Sequence, residues 1–266
     1  MTLARASLFV VIGLLGCLGT ANAQWINLPT AGVPRPPVGA DGRANLSAPA
    51  PRTPDGKPDF SGIWEPPTPP RHLRDLAADL KPGDVSMLPW AEALYKERLT
   101  GIWSREEPDA NCLPQGVPKI NVAPAPYRII QVPGFTAILY EAFTQWRVIF
   151  TDGRTHPQEL NPSWFGYSVG TWEGDTLVVD SKGFNGKLWL DQSGHPSTDA
   201  LHVIERFRRV NFGRLEIQVT IDDPKAYTKP WTTTTSAALR PNTELIEFIC
   251  NENAKDQEHM PVPPKR

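Results

Sequence analysis

Beyond residue 127 the chain alternates apolar and polar residues with a period of two. The clearest run is 215–221, where Leu215, Ile217, Val219 and Ile221 share one face and Glu216, Gln218 and Thr220 the other. The same period predicts strands near 127–132, 136–142, 145–151, 164–172, 175–181, 201–210, 214–222, 227–237 and 243–250. Turn residues fall between them: Pro133-Gly134, Asp152-Gly153, Glu173-Gly174-Asp175 and Asn211-Phe212-Gly213. Short links between neighbours imply antiparallel pairing. A meander this long exposes its edges unless it closes or splits into two sheets. The expected fold is all-β: an antiparallel meander barrel over 127–255, lipocalin-like in the broad sense, with a β-sandwich as the alternative.

The first half lacks that period. Residues 24–58 read as a Pro-rich extended arm, because proline fixes φ and removes donors. Residues 59–126 read as an irregular wrap. Phe60-Ser61-Gly62-Ile63-Trp64 is an apolar anchor, expected as a short strand. Two short helices are predicted, 71–80 with Leu73, Leu76 and Leu80 on one stripe, and 90–99 after Pro89. The organisation is one domain with an N-terminal extension.

Composition adds the compartment. The 266 residues hold 29 Pro and 9 Trp at a formal charge of −2. Residues 1–23 carry a basic Arg5, an apolar run over 8–18 and an Ala21-Asn22-Ala23 cleavage site. This pattern fits a secretory signal peptide, too short to span a membrane, and points to a secreted, periplasmic protein. A lipoprotein with Cys17 lipidated is the alternative. No later run is long and apolar enough to be a transmembrane segment. Near-neutral charge without a basic cluster argues against a nucleic-acid partner. Cleavage leaves Cys112 and Cys250, an even pair expected to form one disulfide in an oxidising compartment.

Candidate chemistry concentrates in 164–209. On the strand from His202, one face carries His202, Ile204, Arg206 and Arg208, and the other Val203, Glu205, Phe207 and Arg209. Both faces mix charge with apolar residues, so charge is expected to point into a polar interior or a cavity mouth. The plain alternative is a solvated face with a salt bridge from Arg206 or Arg208 to Glu216. The loop 191–199 places His195 near Asp191 and Asp199. A His beside a carboxylate can act as a tuned base. The catalytic candidates are therefore His195 or His202 as base, Asp191, Asp199 or Glu205 to orient it, and Arg206 or Arg154 to hold an anion. There is no G-x-S-x-G elbow, H-E-x-x-H, EF-hand loop or nucleotide-binding glycine motif, so neither a metal nor a cofactor is expected. Arg154, His156, Trp164, Trp189, Tyr227 and Trp231 lie near strand ends, where barrel mouths take ligands, and are the ligand-binding candidates.

The series DGRTHP (152–157), TWEGDTLVVDSKGFN (171–185), WLDQSGHP (189–196), ALHVIERFRR (200–209) and TIDDPKAYTKPW (220–231) resembles a family of secreted proteins of environmental bacteria. The resemblance spans most of 55–260. It implies secretion and a β-rich fold and transfers no catalytic residue. The leading expectation is a secreted barrel that binds a small organic ligand in an aromatic-lined pocket. A cofactor-independent acid–base enzyme (hydrolase, lyase or isomerase) and an extracellular structural or interaction protein are the alternatives. Oligomeric state is not legible.

Overall fold

In the computed structural model the described residues are 29–252, 255 and 259–262. The expected signal peptide at 1–23 and Cys17 lie outside them. Nine strands close into one barrel: β1 (Gly62–Glu65), β2 (Tyr127–Val132), β3 (Phe135–Tyr140), β4 (Gln145–Phe150), β5 (Tyr167–Glu173), β6 (Thr176–Lys182), β7 (His202–Asn211), β8 (Arg214–Asp222) and β9 (Trp231–Leu239). Each strand pairs with the next, and β9 returns to β1 through Trp64↔Leu239 and Glu65↔Ala238. The fold is a barrel and not a sandwich.

The ring is mixed, where the sequence suggested antiparallel pairing throughout. β4 and β5 run parallel, paired only at Ile149↔Ser168 and Phe150↔Val169. An odd ring requires this, because strictly alternating directions cannot close on an odd number of strands. The link at that seam, 151–166, is long enough for the crossover of about a dozen residues that parallel neighbours need.

Alternation sends one face of every strand inward. On β8, Leu215, Ile217, Val219 and Ile221 are buried, as their spacing predicts. They join Trp64, Ile129, Ile138, Ile149, Val203 and Phe207 in one packed core. Phe60 stacks on Trp172 at 5.4 Å and meets Phe207 at 6.4 Å. The anchor predicted around Phe60 thus also supplies β1, the strand that closes the ring.

Two expected elements differ. Residues 243–250 form no strand. The pattern there is strand-like, but β1 already occupies the edge of β9, and a closed ring offers no edge to a further strand. The first helix, α1, covers only Arg71–Arg74. Its continuation is intercepted: Gln192 and Ser193 donate their N–H groups to the carbonyls of Leu73 and Arg74, and Leu76 N–H goes to the Asp191 carboxylate. The carbonyls that a second turn would use are already satisfied. The second helix, α2 (Pro89–Leu99), starts at its proline as expected.

The arm lies across the barrel. Phe212 and Gly213 donate to the carbonyls of Ala48 and Leu46, and Arg52 pairs with Asp175 at 2.7 Å. Cys112 and Cys250 are bridged, with Cα atoms 5.5 Å apart across 138 residues of sequence. The bridge ties the segment before β2 to the tail after β9 and is compatible with an extracellular location. No helix among the described residues is long and apolar enough to cross a membrane.

Candidate functional site

β7 directs Val203, Glu205, Phe207 and Arg209 inward, and all four are buried. The Glu205 charge on that face is matched inside the barrel, while Arg209 donates to the backbone carbonyls of Asp59 and Phe212. Glu205 Oε2 accepts from Arg147 Nη2 at 2.5 Å, and its Oε1 accepts from Asn121 Nδ2 at 2.6 Å. Asn121 in turn accepts from the Tyr140 hydroxyl at 2.8 Å. Arg147 also donates to Ser168 Oγ at 3.1 Å and Ser181 Oγ at 2.9 Å. Burial works against the Arg147 charge, but the Glu205 carboxylate and the Tyr140 hydroxyl beside it together hold the guanidinium above its ordinary pKa. Burial also pushes the hydroxyls of Tyr127 and Tyr140 upward. One donor is left over: Arg147 Nη1 is buried and has no partner. Leaving such a group unmade costs about 1–3 kcal/mol, and more when it is charged.

Beside this network the wall opens. β4 and β5 share so little pairing that they diverge on one side of their contact. The gap is a cleft of about 760 Å³, lined by Arg147 and Ser168 together with aromatic walls from Trp146, Phe150, Trp164, Phe165 and Tyr167. Gly166 makes the bend possible. Its φ is +63°, and a Cβ there would sit 2.7 Å from the Lys182 carbonyl oxygen, so the chain presses onto β6 between Phe165 and Tyr167. At the rim, Arg154 lies 3.9 Å over the Phe150 ring and donates to the Tyr167 hydroxyl at 3.2 Å. Its charge is met by Asp152, at 2.6 Å through Nη2. That partner holds the Asp152 carboxyl below its ordinary value.

A second cluster lies around the polar loop. His195 Nδ1 is 2.5 Å from Asp191 Oδ2, and both side chains are buried. Asp191 Oδ1 accepts from the N–H groups of Gly194 and His195, and Oδ2 also takes Leu76 N–H. Tyr95 stacks on the His195 ring at 4.3 Å, and Trp231 lies 5.7 Å away. Burial, with Asp75 and Asp191 nearby, pushes the Tyr95 hydroxyl up to about 12. Ligand atoms of Asp75, Asp191 and His195 fall within 4.8 Å of one another. Both Asp191 oxygens are already engaged, so the carboxylate serves to pin the loop to the segment after α1.

The sequence candidates therefore divide. Asp191 and His195 come together. Glu205 stands apart from them on Arg147. His202 contacts Asp180 at 2.9 Å on the outer face, and His156 reaches the same carboxylate at 3.5 Å. Arg206 pairs with Glu173 and Asp199 with Lys225, both on the surface. Arg208 pairs with Glu216, as the solvated-face alternative expects. Of the ligand-binding candidates, Trp164 lines the cleft and Arg154 stands at its rim. Trp189, Tyr227 and Trp231 are buried. Tyr227 donates its hydroxyl to the Pro196 carbonyl at 2.8 Å, and Trp189 packs under Arg98. Sequence reasoning missed Arg147, Ser168, Trp146 and Tyr167. A signal was present for Arg147, the one charge among the apolar residues of QWRVIF and two positions from Ile149 on the inward face.

No protein-family model matches this chain, and no curated protein matches it.

Proposed function

We propose that this is a secreted protein that binds a small aromatic organic molecule in the cleft between β4 and β5. The observation that carries the reading is the cleft itself. It has about 760 Å³ and aromatic walls, with Arg147 and Ser168 the polar residues at its seam. Small-molecule sites are concave, mostly apolar and of roughly 300–1,000 Å³, with few polar groups. The signal-peptide pattern and the disulfide support the compartment.

The test is a thermal-shift and fluorescence titration with two-ring aromatics such as 2-naphthol. A ligand selective for the folded state adds about 2.7 kcal/mol at a hundredfold excess over Kd. The melting temperature should rise and the tryptophan emission should change. Val148→Trp, which fills the cleft from its wall, should abolish both effects. The reading fails if no such ligand shifts the wild-type melt, or if Val148→Trp binds as well as wild type.

The acid–base reading keeps one support, the oriented Asp191–His195 pair. Its test is turnover of an ester or enol panel by wild type and His195→Gln. A rate removed by the substitution without loss of fold would favour it.

A further inference from the structure

Resting on the cleft reading, the main chain of β4 narrows the ligand class. Thr151 donates its N–H to the Gly134 carbonyl, which continues the ladder that pairs Phe150 with Phe135. Bonded pairs alternate along an antiparallel ladder, so Ile149, Arg147 and Gln145 also turn their N–H and C=O groups to β3. Trp146, Val148 and Phe150 turn theirs the other way, toward β5. The parallel pairing at Ile149↔Ser168 and Phe150↔Val169 uses the Val148 carbonyl and both groups of Phe150. The Trp146 N–H, the Trp146 carbonyl and the Val148 N–H lie beyond that pairing and have no protein partner among the described residues. They open into the gap where the strands diverge. Trp146 and Val148 form one bank of the cleft there, and Phe165, Gly166 and Tyr167 the other.

We infer that the ligand is a flat aromatic amide or lactam, whose N–H donates to the Trp146 carbonyl while its own carbonyl accepts from the Val148 N–H. In an extended chain the C=O of one residue and the N–H two residues on point the same way. The two groups therefore form an acceptor–donor pair along the strand edge. A molecule with a donor and an acceptor side by side meets both. A hydrocarbon meets neither, and an ester meets only the N–H while setting an oxygen lone pair against the Trp146 carbonyl. The pair stands between apolar walls, where a hydrogen bond counts for more and an unmade one costs more. The open stretch is too short for an added peptide strand of about 5–6 residues, because β4 begins at Gln145 and Phe150 is already paired.

The experiment compares three probes on the same ring system: naphthalene, methyl 2-naphthoate and 2-naphthamide. Binding is read by calorimetry and tryptophan fluorescence. In wild type the amide should bind about tenfold more tightly than the ester, and more tightly than naphthalene. Val148→Pro deletes the free donor, and proline is tolerated where a strand N–H faces away from its ladder. It should cut the ratio of amide to naphthalene affinity about fivefold. If that variant does not fold, the Val148 amide resonance of wild type decides the matter. With 2-naphthamide it should move downfield and exchange its hydrogen more slowly, and naphthalene should give it no such protection. An amide that gains nothing over the ester overturns the inference and leaves the cleft reading standing. So does an amide advantage that survives in folded Val148→Pro, or a Val148 exchange rate that the bound amide leaves unmoved. If none of the three binds, the cleft reading itself falls and the inference with it.

Discussion

The strands β2–β4 and β7–β9 belong to one ring, point the same kinds of residue inward and differ on the outside. Inward, Ile129, Ile138 and Ile149 of the first group are buried like Val203, Ile217 and Val219 of the second. Outward, the second group is polar: Arg208 faces Glu216, and the Thr220 and Thr232 hydroxyls bond at 2.8 Å. In the first group, register sets Leu139 beside Trp146 and Phe135 beside both Val132 and Phe150. Trp146 is 67% exposed. Barrel closure needs only the inner face to be apolar. An apolar outer face exceeds that need, and such patches mark contact with something other than water. The cleft opens within this half, beside Trp146 and Phe150.

The comparison can be broken hardest from within. Glu205→Ala should cost about 3–5 kcal/mol, because it strands the buried Arg147 charge. Arg208→Ala, three residues along on the outer face of the same strand, should stay within about 0.5 kcal/mol. Urea denaturation of both variants checks the contrast, and equal losses would refute it. Next comes the bridge that fastens the tail beside the apolar half, where Phe248 packs on Phe143 at 5.5 Å. Cys112→Ser should lower stability by about 2–4 kcal/mol, read as a lower denaturation midpoint. A smaller effect concerns binding alone. Trp146→Ser should weaken the aromatic ligand about tenfold, or 1.4 kcal/mol. Gln218→Ser on the polar half should leave it unchanged.

The smallest effect is in pH. Arg154 holds Asp152 below its ordinary pKa of 3.8, so the carboxylate's contribution is present above that value. It disappears only as pH falls through the lowered one. The stability that this pair contributes should therefore stay flat from pH 8 to about 5, read as an unchanged denaturation midpoint. A midpoint that falls near pH 6 would show that another group sets it.

Much of this was legible in the chain. Strict alternation in 215–221 gave β8, and the mixed faces of β7 correctly announced charge inside the barrel. Residues 243–250 misled because local alternation cannot say whether an edge remains free. The helix expected over 71–80 stops after one turn because a loop more than a hundred residues away claims its carbonyls. The site was harder still. β4 runs Trp146-Arg147-Val148-Ile149-Phe150 with apolar residues on both faces, a pattern shared by strands covered on both sides, and β5 mixes Ser168, Gly170 and Thr171 among its apolar residues. The ionisable residues of 191–206 drew attention by density, yet the structure sends them to separate places. The cleft depends on a parallel seam between strands that diverge, and no periodicity in either strand encodes it.

The most direct test is an NMR titration of indole N–H resonances with 2-naphthamide. Binding in the cleft predicts saturable shifts at Trp146 and Trp164, with Trp189 and Trp231 unmoved. Shifts confined to Trp189 and Trp231, around His195, would contradict the account and place the site at the polar loop.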